Sequence, residues 1–238
     1  MLKFIKSFPF KLLFILILFS FISGCTQKVN NVKDTVRLAI QGSADIHKSR
    51  YEISQLPYAS TYVRIDNNNQ LFMVLAFAET AAGKTITHNN KINPPQLKWL
   101  ANDNGMLVTQ SGRIIKTVNL SPGNLLATHS TSPDPLALGL HLATTPKQWQ
   151  RTIDWQPGYH TGYQLDSVFV FDHAEVLTIN GKSVPVLCFN ENVLVKQLNT
   201  HYSNTFWVDQ QTGKVVKSLQ YIAPSLPSVE MTILKPFN

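Results

Sequence analysis

The stretch LKWLANDNGMLVTQSGRIIKTVNL, residues 97–120, is the clearest indication of the fold because it holds three apolar segments separated by two turn signals. The first signal ends in Asn104-Gly105, and the second contains Ser111-Gly112. An Asn-Gly pair between apolar segments is typical of a β-hairpin, because both residues tolerate the positive φ of a tight turn. The stretch therefore predicts a meander of three antiparallel strands.

Strand patterns continue on both sides of this meander. They occur at 58–65 and 70–77, and again at 148–155, 163–179, 182–198, 204–208, 214–222 and 229–234. Asn180-Gly181 predicts another hairpin, and we expect a bend near Asp172-His173. Residues 134–143 predict one short helix, with Asp134 as its cap and Pro135 in its first position. The fold class is thus all-β: a large antiparallel meander sheet curled into a sandwich or partly open barrel, with one short helix.

The N-terminus has the order of a secretory signal. Three lysines precede the apolar run at 12–19, and the small residues Ser23 and Gly24 precede Cys25. The apolar run is shorter than the roughly 20 residues that a transmembrane helix needs. The segment resembles lipoprotein signal peptides, which implies cleavage between Gly24 and Cys25 and acylation of Cys25. The alternatives are an ordinary signal with an incidental cysteine, or an uncleaved anchor.

This order predicts three regions. Residues 1–24 are the lipoprotein signal peptide, 25–35 are a polar tether after lipidated Cys25, and 36–238 are a single β domain. Thr26 follows the cysteine, where an aspartate would be the usual inner-membrane retention signal. We therefore expect the protein on the periplasmic face of the outer membrane, held there by acyl chains.

Composition excludes one class of partner. The formal net charge is +7, and loss of the three lysines in residues 1–24 leaves 18 basic and 14 acidic residues, or +4. Charged residues make up only 15% of the chain and form no basic run, so nucleic acid is not an expected partner. The mild positive charge is that of a solvated surface, or of one that attracts anionic polysaccharide or lipid headgroups.

The sequence predicts no catalytic residue, metal site or cofactor. The histidines are scattered without a His-x-x-x-His pair, and no nucleophile elbow, phosphate loop or dinucleotide motif occurs. Cys188 lies in an apolar run and is predicted to be a free, buried thiol. Asp154 and Asp166 are the carboxylates that could in principle form a glycosidase pair, although turn or surface positions are the ordinary explanation for them.

The densest aromatic and polar cluster lies at residues 154–163. Aromatic rings stack on sugar rings and polar neighbours bind hydroxyls, so this segment and one further tryptophan are candidate contacts for a saccharide or a partner protein. The candidates are Asp154, Trp155, Tyr159, His160, Tyr163 and Trp207. The alternative is a structural corner, with Trp155 and Tyr163 in the core.

Ordered motifs from about residue 56 to the C-terminus resemble a known family. They are Pro57-Tyr58-Ala59-Ser60, Trp99, Gly112-Arg113, Asp134-Pro135-Leu136, Asp154-Trp155, Gly162-Tyr163, Phe206-Trp207-Val208-Asp209 and Pro224-x-Leu226-Pro227. They resemble the YjbF/GfcB family, lipoproteins encoded with group 4 capsule and related exopolysaccharide secretion genes. Gln110 departs from the basic residue expected there, and the tract His88-Asn89-Asn90 does not align.

The resemblance implies a non-enzymatic accessory factor in capsule or exopolysaccharide secretion. Its expected partners are the outer membrane, export or assembly proteins, and a polysaccharide. Two alternatives remain open: a lipid- or lipoprotein-binding module whose curled sheet encloses a ligand, and a polysaccharide-modifying hydrolase using Asp154 or His160.

Overall fold

The computed structural model describes residues 44–80 and 94–237. The predicted signal peptide, Cys25, the tether, the first residues of the β domain and the His88 tract lie outside them. From Asp45 onward the chain forms one compact unit. No helix in the described ranges combines the length and apolar character needed to cross a membrane.

Strands dominate this unit and confirm the all-β prediction. The strands are β1 Ser60–Ile65, β2 Leu71–Glu79, β3 Gln96–Leu100, β4 Met106–Gln110, β5 Arg113–Val118, β6 Asn124–His129, β7 Gln148–Gln156, β8 His160–Ile179, β9 Lys182–Val195, β10 Thr200–Asp209, β11 Val215–Tyr221 and β12 Ser228–Lys235. Within residues 44–80 and 94–237 the helices are α1 Arg50–Gln55 and α2 Pro135–Leu138, with a 3-10 turn at Lys196–Leu198.

The twelve strands of the described residues belong to one antiparallel sheet in the order β5-β4-β3-β2-β1-β12-β11-β10-β9-β8-β7-β6. The two edge strands, β5 and β6, are consecutive in the chain and lie side by side. Thr117 Oγ1 accepts a hydrogen bond from Leu125 N at 3.0 Å, and Thr128 Oγ1 donates to Ile115 O at 3.1 Å. Side chains thus join the edges where the backbone ladder is interrupted, and the sheet is a nearly closed barrel.

The predicted turns and bend occur where expected. Asn180 and Gly181 have φ of 50° and 67°, the positive values that a tight β8–β9 hairpin requires. Ser111 and Gly112 have φ of 52° and 89° between β4 and β5. The expected bend near Asp172-His173 is a β-bulge, where the β8–β9 register shifts between Phe171 and His173.

Three elements differ from the prediction. Helix α1 was not predicted, although Ser49 and Glu52 form its reciprocal capping box. Strand β6 was not predicted, because the prolines and Gly123 around it indicated a loop. Helix α2 is four residues long instead of ten, although Asp134 caps it as expected, and it ends at Gly139 with φ 91°.

The interior holds two apolar clusters. We call the end of the barrel where β6, β8, β10 and β12 begin the first end, and the opposite one the second end. The cluster toward the first end includes Trp99, Leu107, Ile153, Trp155, Val193 and Val229. The cluster toward the second end includes Leu136, Leu140, Trp149, Phe169, Phe189 and Phe206. Because Leu136 and Leu140 come from α2 and the residues after it, this connection contributes to the core at the second end.

Candidate functional site

Three of the predicted contact residues form one aromatic stack at the β7–β8 turn. The rings of Trp155 and His160 are parallel within 5°, with centroids 4.2 Å apart. Tyr163 packs edge-on against Trp155 at 4.6 Å. Trp155 is buried in the first-end cluster, and His160 covers one face of its indole. The stack therefore holds the turn in place, as the structural-corner alternative expects.

The other two predicted residues of this segment differ in exposure. Asp154 Oδ1 accepts a hydrogen bond from Gly162 N at 2.7 Å, so its carboxylate fixes the turn. Tyr159 is fully exposed at the tip of the turn. Of the predicted cluster, Tyr159 thus has a ring free to meet a ligand.

Trp207 lies apart from this cluster. Its neighbours Phe206 and Val208 are buried in the interior, so alternation directs Trp207 to the outer face of β10. Its indole Nε1 donates to Glu175 Oε1 at 2.6 Å, and Lys217 Nζ lies 5.0 Å from its ring centroid. Trp207 therefore lies on the outer wall of the barrel. It is the eighth residue of β10, which begins at the first end.

An open groove of about 570 Å³ lies at the first end. Its walls are the start of β10 with His201 and Tyr202, the end of β11 with Tyr221, and the corner at 223–227. The rings of Tyr202 and Tyr221 lie 6.1 Å apart. We call this the end groove. The sequence did not single it out, because its walls come from segments that meet only in the barrel.

Gly123 joins the end groove to the β7–β8 turn. A Cβ atom on Gly123 would lie 2.1 Å from Gln156 O, 2.5 Å from Pro157 Cδ and 2.8 Å from Leu226 Cδ2. Leu226 lines the end groove, and Pro157 belongs to the turn that carries Tyr159. The turn and the groove are therefore neighbours at one end of the barrel, held together by a close contact that requires glycine.

A buried ionic group lies between the two apolar clusters. Glu191 is fully buried on β9. Its carboxylate accepts hydrogen bonds from Arg113 Nη1 at 2.9 Å, Arg151 Nη1 at 2.7 Å and Asn204 Nδ2 at 2.8 Å. We call these four residues and Asp134 the polar layer. Sequence reasoning missed it, although opposite charges at inward positions of strands were a usable signal.

Arg113 connects the polar layer to α2 and to aromatic rings. Its Nε donates to Asp134 Oδ2, and Asp134 Oδ1 accepts from Leu136 N at 2.9 Å as the helix cap. The guanidinium centre lies 4.6 Å from the ring of Trp149. With two arginines and two carboxylates the layer is electrically neutral, which burial in an apolar interior requires.

Electrostatics keep these groups charged. Burial alone would raise the pKa of Glu191, but Arg113 and Arg151 outweigh it and hold that pKa well below its ordinary value. Burial would likewise lower the pKa of Arg113, and the charges of Asp134 and Glu191 raise it instead. Because the side chains of Arg113, Arg151 and Glu191 are only 3%, 5% and 0% exposed, a substrate cannot reach them. The polar layer is structural.

The two aspartates considered as a glycosidase pair lie on the outer face. Asp166 pairs with Lys196 at 2.8 Å and stands opposite Gln150 in the β7–β8 ladder. Gln150 is four residues from Asp154, which corresponds to about 13 Å along a strand. Glycosidase carboxylates lie roughly 5 to 9.5 Å apart. The spacing of this pair therefore does not fit glycoside hydrolysis.

Cys188 is buried, as predicted, with 1% of its surface exposed. Burial, with the charges of Asp172 and Glu175, raises the pKa of its thiol to about 11. Its sulfur lies near Asp172 and His173, and the potential ligand atoms of the three residues are all within 4.8 Å of one another. No metal-ligand spacing appears along the chain, because these residues belong to two strands and meet through the β8–β9 register.

Comparison with known proteins agrees with the predicted resemblance. The sequence model of the family described as "Group 4 capsule polysaccharide lipoprotein gfcB, YjbF" matches residues 33–234. The uncharacterized lipoprotein GfcB of Escherichia coli K12 is 35% identical over 217 residues, covering 91% of this chain and 94% of that protein. The uncharacterized lipoprotein YjbF of the same strain is 29% identical over 215 residues, covering 90% and 92%.

A solved structure gives the same result. The crystal structure of the hypothetical lipoprotein YmcC from Escherichia coli K12 matches with a TM-score of 0.66 at 34% identity. The match covers 86% of this chain and 96% of that one. The predicted resemblance is thereby confirmed, and the chain belongs to the YjbF family of group 4 capsule polysaccharide lipoproteins.

Proposed function

We propose that this protein is an outer-membrane lipoprotein, anchored at Cys25 on the periplasmic face, that assists capsule or exopolysaccharide secretion without catalysing a reaction. The family description, which names a capsule polysaccharide lipoprotein, supports the pathway. Thr26, in place of an aspartate after Cys25, supports the outer membrane as the location. Secreted polysaccharide must cross that membrane, so an anchored domain there is close to the polymer and to its export proteins.

The observation that carries the proposed mode of action is the end groove. A concave surface with aromatic rings and polar groups is the usual form of a ligand site. Tyr221, which is 44% exposed, offers its ring and hydroxyl, and Tyr202 lines the groove beside it. His201 and the fully exposed Tyr159 extend the same end of the barrel. Sugar rings stack on such aromatic faces through their C–H groups. We infer that a polysaccharide segment, or the partner protein that carries it, contacts this end.

The predicted contact residues have distinct parts in this proposal. Tyr159 contacts the ligand, while Asp154, Trp155, His160 and Tyr163 hold its turn in position. Trp207 lies on the barrel wall and is not part of the groove.

The carrier alternative is poorly supported by the interior. Sites for drug-sized ligands usually measure about 300 to 1,000 Å³. Two further cavities lined by described residues, the second of them between Arg151 and Ile222, measure only about 20 and 10 Å³. Apolar side chains and the polar layer occupy the space in which a lipid chain would lie. The proposal therefore assigns ligand contact to the outside of the barrel.

Substituting exposed groove residues tests the proposal. We expect His201→Ala with Tyr221→Ala, introduced together in a strain without the wild-type gene, to lower surface capsule several-fold, because aromatic stacking contributes about 0.5 to 1.5 kcal/mol per pair beyond area burial. Quantification of surface polysaccharide is the readout. Calorimetric titration of the purified protein with the same polymer should show weaker binding.

Tyr51→Ala is the matched control. Tyr51 is 73% exposed on α1, which lies near the β8–β9 turn at the second end. The control should leave capsule unchanged, and both variants should keep wild-type abundance and membrane association. Full surface capsule in the double variant would contradict the assignment of the end groove, and full capsule without the protein would contradict the role in secretion.

A further inference from the structure

The β-bulge in β8 brings two consecutive side chains to one cysteine. Successive side chains of a strand normally point to opposite faces of the sheet. The register shift between Phe171 and His173 adds one residue to β8, and His173 then stands opposite Cys188. As a result the potential ligand atoms of Asp172, His173 and Cys188 all lie within 4.8 Å of one another.

Carboxylates on both sides of the ring orient the histidine. His173 Nδ1 lies 3.0 Å from Asp172 Oδ2, and Nε2 lies 3.3 Å from Glu175 Oε1. Glu175 is itself fixed, because its Oε1 also accepts the hydrogen bond from Trp207 Nε1 at 2.6 Å. A carboxylate that holds the far nitrogen of a ligating histidine is a recurrent part of metal sites in proteins.

The cluster is accessible to an ion from solvent. Those of Asp172 and His173 are 51% and 50% exposed, whereas Cys188 is 1% exposed. An ion arriving from solvent would meet the carboxylate and the imidazole at the rim and the sulfur at the floor. The cluster lies on the outer wall of the barrel, away from the end groove and from the polar layer.

We propose that Asp172, His173 and Cys188 bind one divalent cation of the zinc class, with Glu175 orienting the imidazole. Mixed sulfur, nitrogen and carboxylate ligation suits zinc, whereas calcium and magnesium take oxygen ligands. Zinc–ligand distances are about 2.0 to 2.3 Å, so small side-chain rotations would bring atoms within 4.8 Å of one another onto one ion. On binding, the S–H bond of Cys188 breaks, its electron pair forms the sulfur–metal bond, and the proton goes to solvent.

Cobalt and zinc titrations of the full chain in detergent, after treatment with a chelator, test this proposal. We expect one Co²⁺ per chain with a thiolate-to-cobalt charge-transfer band, one competing Zn²⁺, and release of about one proton per ion. Cys188→Ser should remove the band. Glu175→Gln should keep the three ligands and weaken Zn²⁺ binding about 10-fold to 100-fold.

The matched control is His129→Gln, an exposed histidine at the end of β6, which should bind both ions like wild type. Absence of a thiolate band in the wild type, or a band that survives Cys188→Ser, would overturn the proposal. Near-ultraviolet circular dichroism will show whether Cys188→Ser is folded. If it is not, Asp172→Asn and Glu175→Gln test the site instead, because both side chains are partly exposed. Wild-type Zn²⁺ affinity in both of these variants would overturn the proposal.

Discussion

Glu191→Gln is expected to destabilise the protein by about 3 to 5 kcal/mol, because it leaves a buried arginine charge without its partner. The substitution keeps the shape of the side chain and removes the charge that Arg113 and Arg151 share. Asp134 still pairs with Arg113, so Arg151 is the arginine that loses its carboxylate partner. The loss corresponds to a fall in Tm of roughly 10 °C, measurable by calorimetry or by urea unfolding.

Glu230→Gln is the matched control for this prediction. Glu230 pairs with Lys217 at 3.2 Å, but its side chain is 38% exposed. Exposed pairs contribute about 0 to 1 kcal/mol, so the control should unfold nearly as the wild type does. Equal stability losses in the two variants would show that the polar layer does not stabilise the fold in the way its geometry indicates.

The pH dependence of unfolding provides a second measure of Glu191. Its pKa is lower in the folded protein than in the unfolded chain, so the unfolded state binds more protons as the pH falls. The stabilisation is complete above the ordinary glutamate pKa of about 4.3 and is lost as the pH falls toward the lowered folded value. From about pH 5 downward, wild-type stability should fall more steeply than that of Glu191→Gln. Parallel profiles would contradict a lowered pKa.

Cys25→Ser is expected to abolish acylation and to remove the protein from the outer membrane. In the proposed anchor the thiol of Cys25 carries the diacyl group, and a serine hydroxyl does not replace that thiol. Each buried CH₂ contributes about 0.8 kcal/mol to membrane binding. Mass spectrometry of the N-terminal peptide should find acyl chains in the wild type and none in the variant. Density fractionation of membranes should place only the wild type with outer-membrane markers.

The second cysteine gives the control for this experiment. Cys188→Ser changes the other thiol of the chain and should leave both acylation and membrane fraction unchanged. A Cys25→Ser variant that stays in the outer-membrane fraction at wild-type abundance would show that the anchor lies elsewhere. An unmodified Cys25 in the wild type would remove the basis for anchoring.

Local signals in the sequence were sufficient to predict much of the sheet. Asn180-Gly181 indicated a hairpin, and Ser111-Gly112 indicated another, because glycine and asparagine tolerate the positive φ of a tight turn in any surroundings. Asp134-Pro135 marked the start of a helix through capping, which depends on neighbours along the chain. The predicted end of α2 was wrong, because the apolar residues after Gly139 pack in the core but are not helical.

Strand β6 shows where such signals fail. The region from Pro122 to Pro133 has the composition of a loop, yet Asn124–His129 pairs with β7. It also meets β5 through Thr117 and Thr128. The partners that make it a strand lie elsewhere in the chain, so its own residues could not reveal it.

The all-β class, the turns of most hairpins and the family of the chain were all predictable from the sequence, because each depends on residues that are close together or in a fixed order. The near closure of the sheet, the binding of two arginines by Glu191, and the groove lined by His201 and Tyr221 became visible only in the folded barrel. The physical reason is the register of antiparallel strands. It sets which side chains meet across the barrel, and a shift of one residue moves a side chain to the opposite face.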